Sequence, residues 1–514
     1  MRKSIIRRYG NEASETDSIC HRRRIARGNY LLRRRSGKNN DTTSAENNPG
    51  ISTEPTDSKE DRKNIDDGLG NPNLSGYSFR IVADTSAAGN NYKYCDVEEA
   101  DGDVINDAVY KRNRGIEERF NCDISLVYKE SAGDTANYIK NTVTAGENEF
   151  DLVNLHVIYA GSTALGGYFR NWYDIPKVDF SKPWWSKSTV ENLTYNGVCC
   201  LAVGDFALSA LGQSWCTFYN KSLGANYGMG DYFDVVNSGK WTFDFIYNAA
   251  KDAYSDLNGN NEVDNEDQFG YLTQHHSAIN AYLWSFDNPI IKNVNGELTV
   301  VYKTEKLSGI VEKIVNSFLH GDKGIRTDIT YVSPINGSVH NYNVDMFAKS
   351  KCIFTGGVIS QSLDYFREMN DDYSILPYPK WDEDQEAYYT MSDGSHAIMA
   401  VPLTVPEDDI EKVGTIVEAL CAESYKTVIP AYYDVALKVK GTRDDESVAM
   451  LDLIVDSRIF DMGYVYDAWQ GASFILEGML AKDDTNIESY WASNSSAILE
   501  HYQDVIDFFE NYGA

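Results

Sequence analysis

Residues 256–267, Asp256-Leu-Asn258-Gly-Asn260-Asn-Glu262-Val-Asp264-Asn-Glu-Asp267, place oxygen-bearing side chains at positions 1, 3, 5, 9 and 12 of a twelve-residue loop. A backbone carbonyl is expected at position 7, on Glu262, with the apolar Val263 beside it. Those offsets suit a calcium ion, a hard cation that takes about six to eight oxygens wrapped by one tight turn. Two residues depart from the usual loop. Asn261 stands where Gly is usual, although Asn tolerates the left-handed region better than most residues. Asp267 is one methylene shorter than the usual Glu. The spacing predicts a structural calcium held by Asp256, Asn258, Asn260, Glu262, Asp264 and Asp267; the competing reading is a solvated acidic turn.

Covalent chemistry has no comparable signature. There is no G-x-S-x-G, no H-E-x-x-H, no P-loop and no dinucleotide fingerprint. Carboxylate pairs of the kind a glycosidase uses remain open, since the chain has 77 acidic residues. The eight histidines are isolated apart from His275-His276. His156 is the best placed of them, just past a strand end. Rings flanked by polar groups are a more specific signal: Trp215, Trp284, Tyr378, Trp381, Tyr432-Tyr433 and Trp469 sit beside amides, carboxylates or glycine. A flat ring covers the apolar face of a sugar while neighbouring polar groups bond its hydroxyls. Each ring alone would suit a core equally well; together they point to carbohydrate.

The elements that must position these residues begin at Tyr77. Ser78–Ala83 reads as a strand, and Ile105, Val109, Arg112, Ile116 and Phe120 recur at helical spacing. Cys122–Tyr128 is a second strand, a helix follows near 134–146, and Phe150–Leu155 is a third strand. This order predicts a parallel α/β sheet with ligand chemistry beyond the strand carboxyl ends, where His156–Gly161 forms a loop. Further on, 241–254 reads as a helix, and Ile410, Val413, Val417 and Leu420 mark another.

Across its 514 residues the chain carries a net charge of −30 and 42% hydrophobic residues, a prior of about three domains that two large lobes would also satisfy. The acid surplus argues against nucleic-acid and anionic-membrane partners. No apolar run of 18 residues occurs. Charge is uneven: residues 1–36 carry +8, residues 37–75 carry −4, and the rest carries −34. Segment 37–75 has five apolar residues in 39 and is expected to be a disordered linker. A basic start before a polar tether resembles a lipoprotein leader, yet arginines interrupt its apolar core. Residues 1–36 are therefore read as a defective or misread signal, with a native basic tail as the alternative. The eight scattered cysteines leave disulfides open, with buried free thiols expected at Cys199 and Cys200.

Several segments in order, INDAVYKRNRGIEERFN, FDLVNLH, DIPKVDFSKPWW, QSWCTFYNKSL, GKWTFDFIYNAAKDAYSDLNGN, MFAKSKCIFTGG and ILPYPKWDEDQEAYYT, complete the pattern. From about Tyr77 to the C-terminus it resembles the extracellular solute-binding proteins of ABC importers, in the group related to maltose-binding protein. The resemblance implies a type II periplasmic-binding-protein-like α/β fold, two lobes joined by a hinge with multiple chain crossings. Lobe 1 would comprise 76–207 and 340–403, and lobe 2 would comprise 212–335 and 405–514. The ligand site it implies takes His156 and Tyr159 from lobe 1, Gln213 and Trp215 from the first crossing, and His275, His276 and Trp284 from lobe 2. Gly356, Gly357 and Trp469 would complete that site. It further implies a monomeric, non-enzymatic cell-surface lipoprotein delivering a sugar to an ABC transporter permease, touching the membrane only through a lipid anchor. A secreted glycosidase and a binding protein for peptides or other polar solutes are the alternatives.

Overall fold

The computed structural model describes residues 62–85, 93–294, 297–328, 342–436, 445–467 and 472–513. The leader 1–36, the linker as far as 61, and Trp469 lie outside them.

Two sheets organise the chain. In the first, β1 (Tyr77–Asp84) is flanked in parallel by β2 (Cys122–Lys129) and β3 (Leu152–His156). β9 (Ala397–Ala400) closes the far edge antiparallel to β3, pairing Ala397 with His156. The helix α1 (Val104–Phe120) starts where Asp103 accepts the amides of Ile105 and Asn106, and stops where Asn121 takes a left-handed φ of 52°. α2 (Ala132–Thr144) is capped by Ser131 in the same manner. Phe79, Ile81, Leu152, Val153 and Leu155 are fully buried, so β1 and β3 face apolar neighbours on both sides. The residues beyond β3 form a helix, α3 (Val157–Ala164), and not the expected loop. Gly161 allows α3 to lie against the backbone of Val465, which a Cβ would strike.

The second sheet has the order β8-β4-β7-β5-β6, built from β4 (Trp215–Asn220), β5 (Phe269–Thr273), β6 (Ile325–Thr327), β7 (Cys352–Val358) and β8 (Tyr373–Pro377). This corrects the expected lobe boundaries. β7 and β8, expected with lobe 1 in 340–403, hydrogen-bond to β4 on its two edges. Likewise α6 (Ile410–Glu423), expected with lobe 2, packs on the first-sheet side. Its buried Glu418 accepts the indole N–H groups of Trp184 and Trp185 at 2.8 and 2.9 Å. The helix expected at 241–254 is α4 (Phe243–Ala250), capped by Thr242.

Three chain segments meet where the sheets join. Ser214 bridges Ser392, and the Asp393 amide donates to the Gln213 carbonyl at 2.8 Å. Thr390 and Met391 pair with Arg458 and Ile459. From there α7 (Asp445–Asp456) lies against β8, while α8 (Met462–Asp467) lies against α3. The expected disorder of 37–75 also needs correction at its end. Residues 62–75 are folded onto the body: Asp67 takes Arg119 in a two-toothed ion pair, and the Leu74 amide donates to Phe120. Charge pairing holds this stretch together with a small apolar contribution, Leu74 buried in the core and Ile65 and Leu69 packed against it.

All seven described cysteines are free thiols, Cys199 and Cys200 among six that are buried. Among the described residues no helix is long and apolar enough to cross a membrane.

Candidate functional site

A cleft of about 470 Å³ opens beyond the carboxyl end of β3. One wall comes from the first-sheet edge: His156, Ile158 and the turn Asp393-Gly394-Ser395 that leads into β9. The facing wall is His276 and Ser277 at the start of α5 (Ser277–Ser285), with Phe474, Glu477 and Gly478 from α9 (Ile475–Lys482) and its entry turn. Tyr464 of α8 lines it as well.

The two carboxylates of the cleft are held. The Asp393 carboxylate accepts the amide and hydroxyl of Ser395 at 3.0 and 2.5 Å. Glu477 accepts from His276 Nδ1 at 2.5 Å, and its amide donates to Asn280 Oδ1 at 3.1 Å. Burial alone would lower the His276 pKa, but the bond to Glu477 and its charge outweigh burial and raise it. Burial lowers the His156 pKa, with the charges of Asp84 and Asp393 opposing. Beneath the turn, His396 is 1% exposed, and burial pushes its pKa down to about 4. Its Nδ1 lies 2.6 Å from the Asp393 carbonyl, so that nitrogen carries the proton and Nε2 is a bare acceptor. His156 Nδ1 and His396 Nε2 are both buried with no hydrogen-bond partner among the described residues. The cleft therefore presents two carboxylates and the His156 imidazole between two rings, Tyr464 and Phe474. That set suits hydroxyl donors.

Of the expected ligand residues, the structure brings His156 and His276 into this cleft. Tyr159 is half-buried on α3, edge-on to His156 at 5.6 Å. Gln213 lies at the chain junction and donates to Ser360 at 3.3 Å. His275 turns to Asp328, 2.5 Å away. Trp215 is 4% exposed and packs against Tyr378 at 6.1 Å.

Three expectations fail on packing. Trp284 is 1% exposed; its indole N–H donates to the buried Asp461 carboxylate at 2.9 Å, so it is core. Gly356 and Gly357 do not open onto a ligand. A Cβ at the first would strike Tyr378 and Thr273, and one at the second would strike Gln361 and Phe218. Among the other candidate rings, Tyr378, Tyr432 and Tyr433 are buried, and Trp381 lies under Lys313, whose Nζ is 4.1 Å from the ring centre.

Ile158 falls in the expected stretch after β3, whereas Asp393, Ser395, Tyr464, Phe474 and Glu477 lie outside the expected site. The D-G-S turn before an apolar strand was the one legible signal, because its small polar residues favour a tight bend at a strand entrance.

By sequence, no protein-family model and no curated protein matches the chain. By structure it is similar to maltose-bound MalE3 of T. maritima, with a TM-score of 0.50 and 12% identity over 84% of this chain and 99% of that one. It is also similar to a cyclo/maltodextrin-binding protein complexed with maltotetraose, with a TM-score of 0.52 and 12% identity over 85% and 97% of the two chains. The fold is that of the maltose- and maltodextrin-binding proteins. It is the α/β fold that the order of segments implied.

In this fold the acidic loop 256–267 precedes β5. The Asp256 carboxylate accepts the amides of Gly259 and Asn261, and Asp267 accepts those of Leu257 and Asp264. Asn261 adopts a φ of 62°, the left-handed turn that Gly usually supplies at position 6. Asn258 and Asn260 donate their Nδ2 groups to the Asp264 carboxylate at 3.2 and 2.8 Å. Among the described residues no group of three or more His, Cys, Asp or Glu forms a metal-ion set.

Proposed function

We propose that the chain is an extracellular solute-binding protein that captures a sugar or oligosaccharide in the cleft between His156 and Glu477 and delivers it to an ABC permease. The observation that carries this reading is the cleft itself. It lies beyond strand carboxyl ends and beside the junction of two sheets, and it is lined by acceptors and two rings. The two structural neighbours were seen with maltose and maltotetraose, which supports the sugar class. Closure by rotation about the three joined segments would take the ligand between the walls, driven only by tighter binding in the closed state. Such a protein works as a monomer and catalyses nothing. Outside the cell it would be held by a lipid anchor ahead of the polar tether, and calcium would brace the loop 256–267 through Asp256, Asn258, Asn260, Glu262, Asp264 and Asp267.

Titration calorimetry and thermal shift against maltose, maltotetraose, other oligosaccharides and peptides test the proposal. A melting shift with a neutral saccharide and no release of reducing ends on long incubation is the expected result. Asp393→Ala should weaken that binding tenfold or more, the loss of a charged hydrogen bond worth about 1.5–3 kcal/mol. Released reducing ends would make the protein a glycosidase, and a shift with peptides alone would replace the sugar. For the loop, calcium should raise the melting temperature of the wild type but not of Asp267→Ala.

A further inference from the structure

Residues 62–74 form a strap that is part of neither sheet. Its far end is fixed to α1: Arg119 donates to both Asp67 carboxylate oxygens and to the Gly70 carbonyl. Lys182 Nζ holds the Asp66 carbonyl at 2.9 Å, and the Leu74 amide donates to the Phe120 carbonyl at 2.7 Å. The near end reaches the chain junction. There the Arg62 guanidinium lies 3.3 Å from Asp452 Oδ1 of α7 and 4.9 Å from the centre of the Tyr425 ring.

Arg62 does not meet Asp452 alone. A further charge acting on it is that of Asp205, which enters the first connecting segment. Asp205 in turn faces Arg458 and Asp456. Arg458 is the residue of the third segment that pairs with Thr390 of the second. The cluster thus joins all three connecting segments. It holds the carboxylates of Asp205, Asp452 and Asp456 against Arg458 and, on the Asp456 side, Lys187; Arg62 adds a further cation in contact with Asp452. Like charges in a partly buried site repel, so the cation that Arg62 places on Asp452 favours keeping the carboxylates together.

We propose that the strap is a clamp on the hinge: Arg62 balances the charge cluster at the junction and holds the connecting segments in their paired arrangement. Releasing the strap frees the junction, and the anchoring of the tether is thereby coupled to the opening of the cleft. The sugar-binding consequence rests on the proposed function; the effect on the junction does not.

The test uses the full chain without ligand. Arg62→Gln should speed hydrogen exchange at the amides of Thr390 and Asp393 about tenfold or more, with β1 and β3 amides unchanged. Arg62→Gln/Asp452→Asn removes a carboxylate together with the cation, so the cluster keeps the wild-type net charge, and exchange should return toward the wild-type rate. If Arg62→Gln leaves those amides at the wild-type rate, the clamp is wrong. If the single and double variants exchange equally fast, charge balance is not the cause, and the proposal also falls. A folded variant with faster junction exchange should bind its saccharide about threefold to tenfold more weakly, so unchanged affinity would refute the coupling to the cleft. A wild type that binds no saccharide would refute the proposed function and leave the exchange result standing.

Discussion

Trp284 decides between two accounts of the aromatic residues. As a stacking platform it would be dispensable for folding and needed for sugar. In the structure it is 1% exposed, its N–H donates to Asp461, and its ring meets Tyr464 edge-on at 5.1 Å. Trp284→Ala therefore removes a whole buried side chain, a loss of about 3–5 kcal/mol. It also leaves the buried Asp461 carboxylate with only the amides of Ile290, Ile291 and Gly463. Trp284→Phe keeps most of the packing and removes the charged hydrogen bond, at about 1.5–3 kcal/mol. Urea unfolding followed by tryptophan-independent far-UV circular dichroism measures both, each from the midpoint shift times the slope. The pair should rank Ala well below Phe and Phe below wild type. Asp461→Asn should cost more than Trp284→Phe, since it replaces an oxygen that accepts two N–H groups with a donor. A Trp284→Ala protein with the wild-type midpoint and lost saccharide binding would refute the core assignment and return the indole to the ligand.

His396 should set an acid limit. Its folded pKa of about 4 lies below the usual 6.5, so its contribution is present above pH 6.5 and is lost as pH falls toward 4. A shift of that size is worth about 3 kcal/mol, which His396→Asn should largely flatten in a plot of stability against pH. His276 has the opposite sign: its raised pKa makes the Glu477 bond strongest below pH 6.5 and weaker as pH rises through the folded value, an effect His276→Gln should abolish. Of the described thiols, burial raises Cys122 to about 11 and Cys95 and Cys199 to about 12. In native protein at pH 8 a thiol reagent should reach half-buried Cys122 first and the other six only on unfolding. The acceptor-rich cleft should bind neutral oligosaccharides at least tenfold more tightly than uronate counterparts, as competition calorimetry would show.

How much of this was legible follows from where the information lies along the chain. β1, α1, β2, α2 and β3 were readable because each is a local pattern: apolar runs at strand length, then residues at helical spacing with Asp103 and Ser131 as caps. His156 was found for the same reason, since a residue that follows a strand is at its carboxyl end wherever the strand pairs. The sheet to which β7 and β8 belong was not readable. Their residues fit either sheet, and the choice is made by the two edges of β4, more than 130 residues earlier. The facing wall of the cleft failed for a related reason. Glu477 is fixed by His276, 201 residues away, and no spacing rule links them. The strap was misread because its composition is that of a disordered segment. Composition reports how little apolar surface residues 62–75 can bury; it says nothing of Asp67 and Arg119 fitting together.

The aromatic excess is reread by the same logic. Trp284 does not touch the cleft, yet it is not irrelevant to it. Asp461 accepts four N–H groups, from Trp284, Ile290, Ile291 and Gly463, and so fixes the entry to α8. α8 carries Tyr464, which faces the cleft on one side and meets the Trp284 ring on the other. The indole therefore lies one layer behind the cleft, fixing a ring that lines it. A sugar site needs rings held rigidly enough that stacking costs little ordering entropy. A buried Trp locked to a buried carboxylate provides that rigidity better than an exposed one. Polar neighbours around a tryptophan, read along the sequence, thus mark a residue packed behind the cleft and not one that lines it.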